Sequence, residues 1–272
     1  MAVIVITGGG GSIGQKLKRH FQVQGGHELR LLDVAQGGDP AVQVADLAVW
    51  DEAWVRAFEG ADAVVHLAGD PRPEASWESI QRLNLDLCFN VFEAAAGRAR
   101  RLIFASSNWV VNGHRFADGP LTPDMPPYPV NAYGASKLVG ERIGKLYAER
   151  RGLSVICFRI GWCQHTPGNL PGSHMGWGSW GQSMWLSDKD LCQGVEKAVH
   201  APDTLRFAVL NLMSDNQGMR WDLGPTEAAI GYVPIEHATP VVPAEVQAHE
   251  EAARDARSFI TATESWLLKH KW

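Results

Sequence analysis

Two rhythms of apolar positions run along this chain. Short uninterrupted runs of β-branched residues read as strands buried on both faces, and apolar residues three and four apart read as helices packed by one stripe. Val3-Ile-Val-Ile6 is wholly apolar and predicts a central parallel strand. Ser12 to Gln24 then places Ile13, Leu17 and Phe21 on one helical face. The same reading predicts strands over His27–Leu32, Val42–Val44, Ala63–Leu67, Leu102–Ala105, Leu153–Ile160 and Leu205–Leu212. Helices are predicted over Trp50–Phe58, Trp77–Ala99, Ala132–Arg150, Ser187–Ala201, Asp222–Ile230 and Ala244–His270. Two stretches lack either rhythm. Residues 111–130 are rich in Pro, Gly and Asp. Residues 164–185 hold Pro, Gly and two His and, with the adjoining Trp162, four Trp, and read as a long functional loop. Strands alternating with helices predict right-handed crossovers and an α/β, doubly wound parallel sheet.

Glycines change this from a fold to a site. Gly8, Gly11 and Gly14 stand at GxxGxxG spacing between the first strand and the first helix. In that context glycines let the backbone turn tightly beside a pyrophosphate, whose charge lies at the helix N-terminus. Asp33 ends the second strand, where a carboxylate accepts from the adenosine ribose hydroxyls and repels a 2′-phosphate, favouring NAD over NADP. Leu67-Ala68-Gly69 ends the fourth strand with residues small enough for backbone to pass close to a cofactor. The fifth strand delivers Ser106-Ser107-Asn108 at its carboxyl end, where open α/β sheets bind ligands. Tyr133 and Lys137 are four apart on a predicted helix and share a face. An ammonium beside a phenol stabilises tyrosinate, which takes a proton from an alcohol, and a serine hydroxyl can hold the same substrate oxygen.

Composition narrows the classes. At 272 residues, 45% hydrophobic and 20% charged, the chain suits one large globular domain, alone or with a small annex. A net charge of −5 gives no electrostatic reason to expect nucleic acid or an anionic membrane as partner. Cys88, Cys157, Cys163 and Cys192 form no CxxC pair and read as buried thiols of a reducing compartment. The apolar run from Ala2 to Thr7 is too short for a signal segment or a membrane span. A cytoplasmic location is the expectation.

TGGGGSIG, Asp33, Asp46-Leu47, the LAG turn, Ser-Ser-Asn and YGASK together resemble an extended short-chain dehydrogenase/reductase over almost the whole chain. The resemblance implies a Rossmann sheet and a Ser107, Tyr133 and Lys137 catalytic set. NAD contacts are then expected from Gly8, Gly11, Ser12, Ile13 and Gly14, from Asp33, Asp46 and Leu47, and from Leu67, Ala68 and Gly69. Asn84, Ser106, Tyr133, Lys137 and Ile160 complete that set. Residues 1–161, completed by 186–214, would form the dinucleotide-binding domain, with 162–185 and 215–272 as a small substrate-binding portion. The chain is short for nucleotide-sugar epimerases and dehydratases, which carry longer C-terminal domains.

Ala105–Asn108, Arg159–Gly161 and Met184–Ser187 resemble uronate dehydrogenases. His66–Glu74 and Gly181–Ser187 resemble the haloarchaeal NAD-dependent glucose-6-phosphate dehydrogenase type. Both groups oxidise C1 of a pyranose whose C6 carries an anion. Their arginine before the segment matching Gly181–Trp185 is Trp180 here. Arg72, Arg115, His165 and His174 are candidates to take over the anion, and a neutral sugar is the other outcome. Ser107, Asn108, Tyr133, Arg72, His165, His174 and Trp180 form the expected substrate set. Trp162, Trp177, Trp180 and Trp185 offer aromatic faces to a sugar ring, Trp180 first. His165 and His174 lack a third ligand, so no metal is expected. The expected activity is NAD-dependent C1 oxidation of a sugar, a hexose with an acidic C6 group, to a lactone by a homo-oligomer. A sugar epimerase that keeps its NAD, and a non-catalytic dinucleotide sensor, are the alternatives.

Overall fold

β1 (Ala2–Thr7) pairs on one side with β2 (His27–Asp33) and on the other with β4 (Ala63–His66) in the computed structural model, which describes residues 1–165 and 167–255. β3 (Val42–Val44) lies outside β2, and β5 (Arg101–Ser107), β6 (Ser154–Ile160) and β7 (Phe207–Leu212) extend the other half. The order β3-β2-β1-β4-β5-β6-β7 is parallel throughout. The chain reverses direction across the sheet between β1 and β4, which opens a crevice at their carboxyl ends.

Two apolar layers cover the sheet. One face packs α1 (Ser12–Gln24) and α7 (Asp188–Val199) over Ile4, Ile6, Ile156, Phe158 and Leu212. The other packs α2 (Glu52–Val55), α4 (Leu87–Ala95) and α5 (Ala132–Arg151) over Val5, Val64, Phe104, Val155 and Cys157. The long α5 lies close to the strands because Gly140 and Gly144 leave gaps on its inner face. A Cβ on Gly140 would stand 2.3 Å from the Phe104 ring, and one on Gly144 2.9 Å from Val155. Arg101, fully buried, closes the C-terminal end of α7. Its guanidinium donates to the carbonyls of Ala198, Ala201 and Pro202 at 3.1, 2.7 and 2.8 Å, satisfying acceptors that a helix end leaves without partners.

The sequence-based elements shift in several places. The helix expected over Trp77–Ala99 is a short α3 (Trp77–Ser79), a π-helical stretch Ile80–Asp86, and α4, which stops at Ala95. The loop at 164–185 contains α6 (Gly178–Ser183), entered from Trp177 at φ 67°. Its two glycines and single turn give no helical period to read. The tail helix is α9 (Ala244–Asp255), and the remainder of the predicted Ala244–His270 helix lies outside the described residues. α8 (Gly224–Ile230) begins two residues later than expected, after Asp222 accepts from Gly224 N. No helix among the described residues is long and apolar enough to cross a membrane.

Candidate active site

The glycine loop is shaped by close backbone approach. Gly8 has φ +73°, and a Cβ there would stand 2.9 Å from Ala68 N. A Cβ on Gly14 would stand 2.3 Å from Gly8 O. Leu67-Ala68-Gly69 therefore runs directly beside the loop. α1 starts at Ser12-Ile13 after Gly11, with no side-chain cap and no acidic residue in its first turn. The positive end of the helix dipole is left bare in the crevice, and this fits a dinucleotide pyrophosphate.

Asp33 reaches across to that loop. Its two carboxylate oxygens accept from Gly10 N at 2.9 Å and from Val34 N at 2.7 Å, and acceptor capacity remains on each oxygen for hydroxyls. Replacing Asp33 by Ser is expected to raise the relative kcat/KM for NADP over NAD. A unit charge pair at about 4 Å is worth roughly 1–4 kcal/mol in partly solvated surroundings, so the ratio should move by about 10-fold or more. A wild type that uses both cofactors equally would show that Asp33 does not face the ribose.

The other expected cofactor residues divide into edges and struts. Asp46 pairs with Arg82, and Leu47 is buried while its carbonyl accepts from Asn90. Asn84, inside the π-helical stretch, spends both ends of its amide within the chain. Its Oδ1 accepts from Asp70 N at 2.7 Å, and its Nδ2 donates to Asp70 O at 3.0 Å and to Ser136 Oγ at 3.2 Å. It ties the turn after β4 to α5, one residue before Lys137. The hydroxyl of Ser106 donates to Glu141 at 2.7 Å. The Ile160 carbonyl accepts from Asn108 Nδ2 at 3.2 Å.

β5 and the start of α5 bring the proposed catalytic groups together. Asn131 caps α5 by accepting from Gly134 N at 2.7 Å, which aims Tyr133 and Lys137 from the first two turns at the end of β5. The Tyr133 hydroxyl is hydrogen-bonded to Ser107, and both residues are buried. Ser107 Oγ also accepts from Trp109 N at 3.2 Å. Burial pushes the Tyr133 phenol up to about 12, against the lowering from Ser107, and the nearby Asp70 carboxylate raises it further. Burial also brings the Lys137 ammonium down to about 8. Lys137 Nζ stands 5.6 Å from the Tyr133 ring centroid and 5.2 Å from that of Phe104. The lowering of the phenol comes from Ser107 rather than from Lys137, and desolvation outweighs it. His66, at the end of β4, accepts or donates at Thr7 Oγ1 (2.8 Å) and is brought down to about 3 by burial and by Lys137, so it stays neutral.

Glu141, one turn after Lys137, is the residue beneath this set that the motifs did not flag. Its carboxylate takes both Nε and Nη2 of Arg159 at 2.9 and 3.0 Å, besides Ser106. Both side chains are about 4% exposed. Its spacing from Lys137 and the Arg159-Ile-Gly161 segment were the signals that could have revealed it.

The substrate residues are gathered less completely. Asn108 is buried with Oδ1 unpartnered. Arg72 is not a spare cation, because it forks onto Asp70 at 2.9 and 2.6 Å and holds that buried carboxyl down to about 2. Arg115 is engaged by Trp177 O at 3.1 Å and Glu250 at 3.0 Å. His165 and His174 are exposed, and His174 bonds Gln164 at 3.0 Å. Trp180 is 7% exposed and packs on Trp221 with ring centroids 4.6 Å apart, in one apolar cluster with Trp177, Met184, Met213 and Leu121. Arg220, which no sequence signal marked, lies 6.0 Å over the Trp180 ring. The four cysteines are free thiols, and burial raises the pKa of each.

Comparison with known proteins agrees with this geometry. The model of the NAD dependent epimerase/dehydratase family matches residues 4–162. The chain is 36% identical to the L-arabinose 1-dehydrogenase (NAD(P)(+)) of Haloferax volcanii, across 89% of this chain and all of that protein. It is 35% identical to the NAD-dependent glucose-6-phosphate dehydrogenase of the same organism, across 86% and 94%. The crystal structure of uronate dehydrogenase from Agrobacterium tumefaciens superposes with TM-score 0.70 and 26% identity, across 96% of this chain and 90% of that one. With its parallel sheet, its glycine loop under a bare helix end and its matched first 160 residues, the chain belongs to the NAD dependent epimerase/dehydratase family.

Proposed function

We propose that the protein oxidises a sugar at C1 to a lactone with NAD, and that the sugar is a hexose bearing an acidic group at C6. The observation that carries the reading is the buried Ser107–Tyr133 hydrogen bond beside Lys137, at the strand ends next to the glycine loop. The arabinose, glucose-6-phosphate and uronate enzymes it resembles support the choice of C1. Residues 1–161 with 186–214 are assigned to the cofactor, and 162–185 with 215–272 to the sugar.

NAD, when bound against Gly8–Gly14 and Asp33, supplies the two-electron acceptor. The chain manages the proton and the orientation. Ser107 holds the anomeric oxygen. Tyr133, as tyrosinate, removes the proton from that oxygen as C1 becomes a carbonyl carbon. Asn108 offers its unpartnered Oδ1 to another sugar hydroxyl. Lys137 supplies a cation beside the phenol. Because only the deprotonated phenol accepts a proton, the rate is lost as pH falls through the Tyr133 midpoint. A phenol held at about 12 must come down on cofactor binding. The difference in tyrosinate absorbance between wild type and Tyr133→Phe should be absent below pH 10 without NAD and present with it. An unchanged midpoint would remove Tyr133 as the base.

The wild type should accumulate NADH in a screen of aldoses, uronates and sugar phosphates, whereas an epimerase would return its cofactor oxidised. We also assign the enzyme to the cytoplasm as a homo-oligomer. Phe89 on α4 and Val139 and Leu146 on α5 are exposed apolar residues on adjacent helices, and burying such a patch is what subunit association supplies.

A further inference from the structure

Three loops follow the carboxyl ends of β5, β6 and β7, and they meet around Arg220. Its guanidinium donates to Gly119 O at 2.9 Å and Arg115 O at 2.8 Å, from the loop after β5. It lies over Trp180, from the segment after β6. Arg220 itself belongs to the segment after β7, next to Trp221, whose position is fixed by the Leu121–Trp221 bridge. No carboxylate is paired with Arg220 among the described residues. The charged groups that act on it electrostatically are Arg254 and Asp118, which pair with each other at 3.8 Å, and Asp118 is almost fully exposed.

The hydrogen-bonding inventory at this point is one-sided. Arg220 Nη2, Trp180 Nε1 and Trp221 Nε1 are all buried, and each lacks an acceptor. All three can only donate. Buried donors without acceptors are costly, and a guanidinium whose neighbours Trp180 and Trp221 also hold unpartnered donors is matched by a group with several acceptor oxygens and negative charge. Arg101 is the internal contrast. It is fully buried and likewise held by carbonyls, but all of its nitrogens find partners, as expected of a purely structural arginine. The donor cluster continues into the Trp177, Trp180, Met184 and Met213 group, with Trp109 packed against it. Trp109 follows Asn108, and its carbonyl is the backbone that Gly134 approaches beside Tyr133.

We propose that Arg220, with the indole N–H groups of Trp180 and Trp221, forms the subsite for the anionic group at the far end of the sugar. It would replace the arginine that the uronate-type sequences place at position 180. The inference rests on the C1-oxidation reading. It makes Arg220 the residue that selects a C6 carboxylate or phosphate over a neutral hydroxymethyl group.

The test compares kcat/KM for glucuronate, glucose 6-phosphate, glucose and arabinose in wild type, Arg220→Met, Arg220→Lys, Trp180→Phe and Trp221→Phe. The wild type should prefer at least one acid over glucose. Arg220→Met should lose about 30-fold or more on that acid, mainly through KM, with the neutral sugars within about 3-fold. Arg220→Lys should keep part of the preference. Each Trp→Phe change keeps an aromatic ring, though a smaller one, and removes one donor, and should lose roughly 3- to 10-fold on the acid alone. A wild type that prefers neutral sugars overturns the proposal, as does an equal loss on acids and neutrals in the Phe variants. If Arg220→Met fails to fold, those Phe variants decide. Should no aldose yield NADH, the C1 reading fails by itself. Calorimetric titration of glucuronate and of glucose 6-phosphate into wild type and Trp180→Phe then judges the subsite, which falls if neither acid binds or if binding is the same in both.

Discussion

Tyr133→Phe is expected to cost 10²- to 10⁴-fold in kcat, the range over which removing a general base acts, while NAD binds within a few-fold of wild type. The substitution is clean because of what surrounds the phenol. The ring is buried against the start of α5, so Phe fills the same space. Among the described residues the hydroxyl is bonded to Ser107, which keeps its bond from Trp109 N. Thermal stability should change little, and desolvation of the phenol is relieved. Loss of turnover without loss of fold or cofactor binding isolates the proton acceptor. Single-turnover mixing of the variant with NAD and substrate, followed at the NADH absorbance, makes the measurement. A Tyr133→Phe protein with near wild-type kcat ends the assignment of the Ser107–Tyr133–Lys137 set.

Glu141→Gln is expected to destabilise the fold by about 3–5 kcal/mol, because breaking a buried pair leaves an uncompensated charge. Glu141 accepts two bonds from Arg159 and one from Ser106, all away from water. The neutral amide keeps one acceptor and brings two donors toward a guanidinium whose other partner among the described residues is Pro123 O. Denaturation by urea at constant pH reads the loss, and Ser106→Ala, which removes a single hydrogen bond, should cost only about 1–2 kcal/mol. Glu141 lies on the same face of α5 as Lys137 and Tyr133, so kcat should fall beyond what unfolding explains. The double variant Glu141→Gln, Arg159→Met should recover part of the stability. A single variant as stable as wild type would mean that water or a rearranged Arg159 replaces the pair.

Parallel strands were legible because apolar and β-branched residues dominate them, unbroken through Ile6 in β1 and interrupted by single polar residues in β3 and β6, and these three lie within a residue or two of where the sequence puts them. The glycine loop was legible because close approach leaves no room for a Cβ. Lys137 and Tyr133 were legible as a pair by spacing. Their electrostatics were not, since desolvation depends on what covers them, and no local pattern states that Ser107, Asp70 and Phe104 close around the phenol and the ammonium. The charged substrate candidates show the same limit from the other side. Arg72 and Arg115 carry the right chemistry in sequence, but Asp70 and Glu250 already hold them. Arg220 sits in a stretch without motif or period, and it matters only because two loops distant in sequence fold onto it. Helix α6 was missed for a related reason. Its start is fixed by Glu250, which accepts from Ser179 N at 3.1 Å and from Ser179 Oγ at 2.6 Å, across about seventy residues of chain.

Six of the eleven tryptophans, Trp109, Trp162, Trp177, Trp180, Trp185 and Trp221, stand in the loops around the site. The protein therefore carries its own optical reporter. Emission from these indoles, shielded from water and in contact with one another, should peak toward the blue and should change when a sugar displaces solvent beside Trp180 or when a reduced nicotinamide, which absorbs where indole emits, arrives at the neighbouring crevice. Occupancy of both halves of the site can then be followed in the unlabelled protein, in real time and without turnover.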